Sequence, residues 1–124
     1  MEKKRVLVVD DNPDIRNLIN ATLGNVFYVV VNASNGPEAL DYLETGDLPD
    51  LVLLDLAMPG MSGLEVLEHI KNDPETYHIE VIVLSAQADE KTRKEAIALG
   101  ARAVLNKPFG PLDLLQRIEN IFES

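Results

Sequence analysis

Five polar side chains of this sequence stand where short apolar runs end: Asp10, Asp11, Asp55, Ser85 and Lys107. Taken alone, an aspartate in such a place is most simply explained as a helix cap or a turn former. If the five converge in the fold, however, three carboxylates lie together and repel one another. That repulsion is relieved either by a raised pKa or by a bound cation.

The types of these side chains also indicate what the group could do. A set of ligands made only of oxygen atoms suits Mg²⁺, which keeps several waters and completes its octahedron with a phosphate oxygen. A carboxylate can attack a phosphoryl group and form an acyl phosphate, provided that cations and hydroxyl donors hold the developing charge. Lys107 and Ser85 could supply the ammonium and the hydroxyl. The residues therefore predict Mg²⁺-dependent phosphoryl transfer to an aspartate.

Elements that could bring these residues together are predicted by the order of apolar runs and helical patterns. Five runs are apolar at consecutive positions: 6–9, 27–31, 51–54, 81–84 and 103–105. Such strands are buried on both faces, and the helical segments between them imply a parallel sheet with helices on each side. We therefore expect an α/β fold, a doubly wound (βα)5 sandwich with a five-stranded parallel sheet. Ligands of such folds bind at the carboxyl ends of the strands, where the five polar residues fall.

Helix boundaries and faces follow from the same patterns. Asn12 and Pro13 supply an N-cap and a first helical residue. Gly36 and Gly63 lie near the starts of the second and third helices, and we expect them only to mark these helix boundaries, with no further role. The first helix should bury one apolar face, formed by Ile15, Leu18, Ile19 and Leu23. The last helix should bury Leu112, Leu115, Ile118 and Ile121.

Length and composition narrow the classes of protein. With 124 residues and 46% hydrophobic content, the chain fits one domain with one core. It has no cysteine, which excludes disulfides and thiolate metal sites. The formal charge of −10, from 11 basic and 21 acidic residues, disfavours direct binding of nucleic acid. No apolar run is long enough for membrane insertion, and we expect a cytoplasmic protein.

Several short motifs occur in one order along nearly the whole chain: Asp10-Asp11, Asp55, Met58-Pro59-Gly60, Gly63, Ser85-Ala86 and Lys107-Pro108-Phe109. In type, order and spacing they resemble the CheY-like receiver domains of bacterial two-component response regulators. The resemblance implies a flavodoxin-like strand order 2-1-3-4-5. It also implies a single receiver domain over residues 1–124, with no output domain present and no turnover of an external substrate.

The same resemblance implies a role for each site residue. Asp55 would be the phosphoacceptor. Asp10, Asp11, Asp55 and the backbone carbonyl of Ala57 would hold Mg²⁺, with Asp10 acting mainly through water. Ser85 and Lys107 would bind phosphoryl oxygens, and the peptide bond between Lys107 and Pro108 would be cis.

Partners are implied in the same way. The donor would be a sensor histidine kinase or a histidine phosphotransfer protein. The downstream target would be another protein, bound at a surface made by the fourth helix, the fifth strand and the fifth helix.

Two departures from the family pattern bear on the switch. Val104 stands where many receivers have an aromatic ring that swings inward. We therefore expect Ser85 and the loop that follows it to move, with a change read by partners that is smaller or lies in the backbone before the fourth helix. Ala57 and Gln87 occupy the positions that tune loss of the phosphoryl group. Ala57 favours a long lifetime and Gln87 a short one, and no lifetime is predicted.

Three other functions compete with the receiver interpretation. An aspartyl phosphatase needs an acid two residues after its nucleophile, where this chain has Ala57. A flavodoxin-like carrier would need a loop rich in Ser or Thr after the first strand, and this chain has none. A receiver-like interaction module that is never phosphorylated stays open as the alternative.

Overall fold

Strands and helices alternate along the part of the chain that the computed structural model describes, residues 3–24 and 27–123. The strands are β1 (Lys4–Val9), β2 (Tyr28–Ala33), β3 (Leu51–Asp55), β4 (Glu80–Ser85) and β5 (Ala103–Asn106). The helices are α1 (Pro13–Leu23), α2 (Gly36–Thr45), α3 (Gly63–Asn72), α4 (Glu90–Ala98) and α5 (Pro111–Glu123). This alternation confirms the predicted (βα)5 pattern.

The five strands form one parallel sheet in the order β2-β1-β3-β4-β5. The predicted fold class and strand order are therefore confirmed. The chain leaves β1 for β2 on one side and reaches β3 on the other, so the order reverses between β1 and β3. In the register of the sheet, Val9 lies opposite Leu54 and Asp55 opposite Leu84. The residues that end these strands consequently meet at one edge.

Burial on both faces explains why the strands are apolar at consecutive positions. Val6 and Val8 belong to the core layer beneath α1 and α5, whereas Leu7 and Val9 belong to the layer beneath α2, α3 and α4. All four are fully buried. Successive side chains of a strand point to opposite faces, so a central strand covered on both sides has no position for a polar residue until it ends.

Side-chain caps fix where the helices begin. Asn12 Oδ1 accepts a hydrogen bond from the N–H of Asp14 at 2.8 Å, which confirms the predicted N-cap before Pro13. Ser62 and Glu65 form a reciprocal capping box at the start of α3. An N-cap of this kind contributes about 1 kcal/mol and sets the point at which the loop after a strand becomes helix.

Three predicted apolar positions were wrong. Phe27 lies outside the sheet and is 71% exposed, and β2 begins at Tyr28. Leu112 is 81% exposed, while Leu114, which was not predicted, is fully buried. Leu18, predicted on the buried face of α1, is 37% exposed. In α5 the error has a geometric cause: Leu112 lies about 200° around the helix from Leu114, and packing onto the sheet selected the face of Leu114 and Ile118.

Gly63 does more than begin a helix, so the prediction that it only marks a helix boundary was wrong. A Cβ at this position would lie 2.2 Å from the carbonyl oxygen of Asp55 and 2.7 Å from Cα of Leu56. The N–H of Gly63 donates to the carbonyl of Leu56 at 3.0 Å. The start of α3 therefore packs directly on the backbone that carries Asp55, and only a residue without a side chain allows this approach.

None of the helices in the described part of the chain has the length and apolar character needed to cross a membrane.

Candidate functional site

Three carboxylates meet at the carboxyl ends of β1 and β3. Asp10, Asp11 and Asp55 each offer a carboxylate oxygen, and these oxygens lie within 4.8 Å of one another. Asp10 is fully buried and Asp55 is 3% exposed, whereas Asp11 is exposed. The fold thus brings together the acids that the sequence singled out, with two of them shielded from solvent and one facing it.

Asp10 is held through its backbone N–H and both of its carboxylate oxygens. Its N–H donates to the carbonyl of Ala33 at 3.1 Å. Oδ1 accepts from the N–H of Asn12 at 2.9 Å, and Oδ2 accepts from Nζ of Lys107 at 2.8 Å. A buried carboxylate is stable only when it is paired and hydrogen-bonded, and Asp10 meets both conditions.

Asp55 is held on one oxygen and open on the other. Its Oδ1 lies 3.1 Å from Nζ of Lys107 and accepts a weaker hydrogen bond from the N–H of Ala57 at 3.3 Å. Oδ2 accepts no hydrogen bond from any residue within 3–24 and 27–123. The carboxylate is therefore oriented by Lys107 and Ala57 while its second oxygen stays available to a ligand.

Burial shapes the protonation of the two charged partners. Desolvation raises the pKa of Asp55, and the neighbouring Asp10 raises it further, against the opposing effects of Lys107 and of the Ala57 N–H. Burial by itself would lower the pKa of Lys107, but its hydrogen bond to Asp10 and the charges of Asp10 and Asp55 outweigh this and raise it. Lys107 accordingly stays an ammonium between the two acids.

One ammonium does not balance three carboxylates. An excess of buried negative charge, lined by oxygen atoms and partly open at Asp11, suits a divalent cation that retains waters, such as Mg²⁺. The residues at this edge of the sheet thus fit the metal that the sequence predicted.

The backbone on either side of Lys107 places its side chain beside Asp10 and Asp55. Its backbone N–H donates to the carbonyl of Ser85 at 2.9 Å, which continues the pairing of β4 with β5 by one residue. The peptide bond between Lys107 and Pro108 is cis, as the resemblance implied. Phe109 is buried in the layer beneath α1 and α5, so the turn after Lys107 is anchored in the core.

Ser85 lies at the same end of the sheet, and its hydroxyl makes no hydrogen bond to the acids in the described structure. It ends β4 one residue beyond Leu84, the register partner of Asp55. It is 6% exposed, and its Oγ accepts from the N–H of Gln87 at 3.1 Å. Its hydroxyl proton is free for another acceptor at the site.

Val104 is not part of this edge. It lies opposite Val83 within the sheet, is 1% exposed and belongs to the core layer beneath α2, α3 and α4. Ala57, by contrast, is exposed in the loop directly after Asp55.

Sequence reasoning missed Arg16. Its Nη1 donates to the backbone carbonyl of Asp10 at 2.6 Å. A signal was present, because a cation in the first turns of a helix is unfavourable with the helix dipole and therefore calls for a local partner. Asp10, six residues earlier, is that partner.

The family model for the response regulator receiver domain matches residues 6–119. Response regulator PleD of Caulobacter vibrioides is 38% identical over 117 residues, which cover 94% of this chain and 26% of that protein. The chain thus spans about a quarter of the length of PleD.

Solved structures agree with this assignment. The phosphorylated cyanobacterial phytochrome response regulator RcpA superposes with a TM-score of 0.84 at 33% identity, covering 98% of this chain and 93% of that one. The Mn²⁺-bound form of response regulator Rcp1 superposes with a TM-score of 0.81 at 28% identity, covering 95% and 91%. Motifs, site geometry, sequence and fold lead to one conclusion: this chain belongs to the family of response regulator receiver domains.

Proposed function

We propose that this receiver accepts a phosphoryl group on Asp55, in a Mg²⁺-dependent reaction, from a sensor histidine kinase or a histidine phosphotransfer protein. The observation that carries the proposal is the asymmetry of Asp55, which belongs to the acidic cluster: its Oδ1 is held by Lys107 and Ala57, while its Oδ2 accepts no hydrogen bond from the described residues. The similarity to RcpA, a response regulator known in a phosphorylated form, supports it.

The transfer is a displacement at phosphorus. Oδ2 of Asp55 attacks the phosphorus atom of a phosphohistidine and forms a P–O bond, while the P–N bond breaks. The bonding electron pair leaves with the imidazole nitrogen, which takes up a proton. The product on this chain is an acyl phosphate.

Asp10, Asp11, Asp55 and the carbonyl of Ala57 would hold Mg²⁺ in this reaction. When bound, the ion supplies positive charge that offsets the carboxylates and the oxygens of the transferred group. The acidic cluster fits such an ion, and the similarity to the Mn²⁺-bound response regulator Rcp1 supports a divalent cation at this edge.

Lys107 and Ser85 complete the site in this proposal. Lys107 already bridges Asp10 and Asp55, and it would transfer part of this interaction to a phosphoryl oxygen. The Ser85 hydroxyl would donate to another oxygen. The added charge and acceptor oxygens would draw both groups inward and change the loop after β4. Val104 is too small and too deeply buried to act as a swinging ring, so the switch would depend on Ser85 and residues 86–89.

We further propose that residues 1–124 act as one receiver domain, without turnover of an external substrate. Its output would be a protein contact through α4, β5 and α5, where the exposed side chains of Lys91, Arg93 and Lys94 lie on α4. The cytoplasmic location and the lack of direct binding to nucleic acid stay predictions from the sequence.

Intact mass spectrometry after incubation with acetyl phosphate or phosphoramidate and Mg²⁺ tests the proposal. We expect the wild-type chain to gain one phosphoryl group, and we expect both EDTA and Asp55→Asn to abolish the gain. Asp47→Asn, an exposed aspartate in the loop before β3, is the matched control and should be modified like the wild type.

No gain with any donor would favour the alternative, an interaction module that is never phosphorylated. A gain that persists in Asp55→Asn would place the modification elsewhere.

A further inference from the structure

Arg16 is the one cation of α1, and it points back at the acidic edge without touching a carboxylate. Its Nη1 donates to the backbone carbonyl of Asp10 at 2.6 Å, and the residue is half-buried. The bond spans six residues, from the first turns of α1 to the end of β1. A guanidinium beside carboxylates would be expected to pair with one of them, so the choice of a carbonyl is informative.

This bond completes the set of restraints on Asp10. The N–H bonds to Ala33, and the two carboxylate oxygens bond to Asn12 and Lys107. Because Arg16 donates to the carbonyl of Asp10, every polar group of Asp10 has a hydrogen-bond partner. The side chain of Asp10 is therefore fixed without Arg16, and the bond from Arg16 restrains something else.

That restraint acts on the peptide unit between Asp10 and Asp11. A peptide unit is planar, so holding its carbonyl oxygen also fixes the direction of the following N–H and Cα. Asp11 is exposed and its carboxylate makes no hydrogen bond within the described residues, so its position depends on its backbone. We propose that Arg16 is a positioning residue that presents Asp11 to the metal by holding the carbonyl of Asp10. This inference rests on the proposed function.

Loss of the hydrogen bond of Arg16 and loss of its charge should change the affinity for Mg²⁺ in opposite directions. A positive charge near the site weakens the binding of a cation, so removal of the charge alone would tighten Mg²⁺ binding. Loss of the hydrogen bond would free the Asp10–Asp11 peptide and weaken binding. The sign of the change in a neutral variant therefore separates the two.

The test uses Arg16→Met, which keeps the apolar stem but has no donor, and Arg16→Lys, which restores one. Calorimetric titration with MgCl₂ should give a Kd about tenfold higher for Arg16→Met than for the wild type, the effect typical of residues that orient metal ligands. Arg16→Lys should recover part of this loss. Arg5→Ala removes one positive charge at the start of β1, at the other end of the strand from Asp10, and should leave Kd unchanged.

A second readout needs no metal. In ¹³C and ¹⁵N spectra recorded in EDTA, Arg16→Met should shift the Asp10 carbonyl and Asp11 amide resonances, whereas Arg5→Ala should not. In phosphorylation by acetyl phosphate, Arg16→Met should raise the Mg²⁺ concentration for half-maximal rate. The maximal rate at saturating Mg²⁺ should stay within twofold of the wild type, because the reacting groups are intact.

An unchanged or lower Kd in Arg16→Met, with normal binding by the wild type, would overturn the inference and leave the proposed function standing. A fall in the maximal rate alone would also overturn it. A wild-type chain that binds no Mg²⁺ would overturn both. If Arg16→Met fails to fold, Arg16→Leu, which is also neutral and has no hydrogen-bond donor, is subject to the same Kd and spectral criteria.

Discussion

The carboxyl ends and the amino ends of the parallel strands form two rims of the sheet, and these rims carry charges in different ways. At the carboxyl rim, formed by Asp10, Asp11, Asp55, Ser85 and Lys107, carboxylates outnumber the cation and two of them are buried. At the amino rim, formed by Arg5, Asp47, Glu80 and Arg102, each of these charged side chains is paired with an opposite charge and contacts solvent.

The pairs of the amino rim are ordinary surface ion pairs. Arg5 lies 3.5 Å from Asp47, whose side chain is 86% exposed. Arg102 pairs with Glu80, with side chains 47% and 31% exposed. Such pairs contribute about 0–1 kcal/mol each. The carboxyl rim has no such balance, so its charges require a ligand, and this imbalance distinguishes a functional edge from a solvated one.

Removal of one cation from each rim should give the largest difference between the two rims. Lys107→Met leaves Asp10 and Asp55 buried without their shared partner, and we expect a loss of about 3 kcal/mol in the free energy of unfolding. Arg102→Met should cost less than about 1 kcal/mol. Urea denaturation in EDTA measures both.

Mg²⁺ sharpens this test. Because a divalent cation would offset the freed carboxylates, MgCl₂ should restore part of the stability lost in Lys107→Met and change Arg102→Met no more than the wild type. Equal losses for the two variants would contradict the comparison.

The close backbone approach at the carboxyl rim should give the next largest effect. Gly63→Ala places a Cβ 2.2 Å from the Asp55 carbonyl oxygen, so α3 or the end of β3 must shift. We expect a loss of about 2 kcal/mol, in the range of overpacked sites, together with slower phosphorylation of Asp55. Gly110→Ala is the matched control, because a Cβ there meets nothing within 4 Å. Wild-type stability and phosphorylation in Gly63→Ala would show that the approach is not required.

The smallest expected effect is on the pH dependence of stability. Burial and Asp10 hold the pKa of folded Asp55 above its ordinary value of 3.8. The carboxyl of Asp55 then binds its proton more tightly in the folded state than in the unfolded state, so protonation of Asp55 stabilises the fold. This stabilisation is fully present below pH 3.8 and is lost as the pH rises through the pKa of folded Asp55. Asp55→Asn cannot lose this proton.

Melting temperatures from pH 4 to pH 7 measure this effect. The melting temperature of Asp55→Asn should exceed that of the wild type by a few degrees at neutral pH, with a gap that narrows toward pH 4. Asp47→Asn at the amino rim should show a pH profile parallel to that of the wild type. A gap for Asp55→Asn that does not vary with pH would contradict the assigned direction of the pKa shift.

Local signals predicted most of the fold. Consecutive apolar residues marked the strands, and capping residues such as Asn12 marked helix starts, because both depend on interactions within a few residues. The sequence predicted less well which face of each helix is buried. Leu112 and Leu114 are both leucines in a helical pattern, and only the position of α5 on the sheet decides which one is buried.

The candidate site divides in the same way. The sequence determined the types of Asp10, Asp11, Asp55, Ser85 and Lys107 and their place after strands, and parallel pairing then required a common edge. Tertiary structure decided which oxygen of Asp55 stays open, that Gly63 packs on its backbone, and that Arg16 holds the Asp10 carbonyl. Those features depend on distances between segments that are separate in the chain, and such distances exist only once the helices have packed on the sheet.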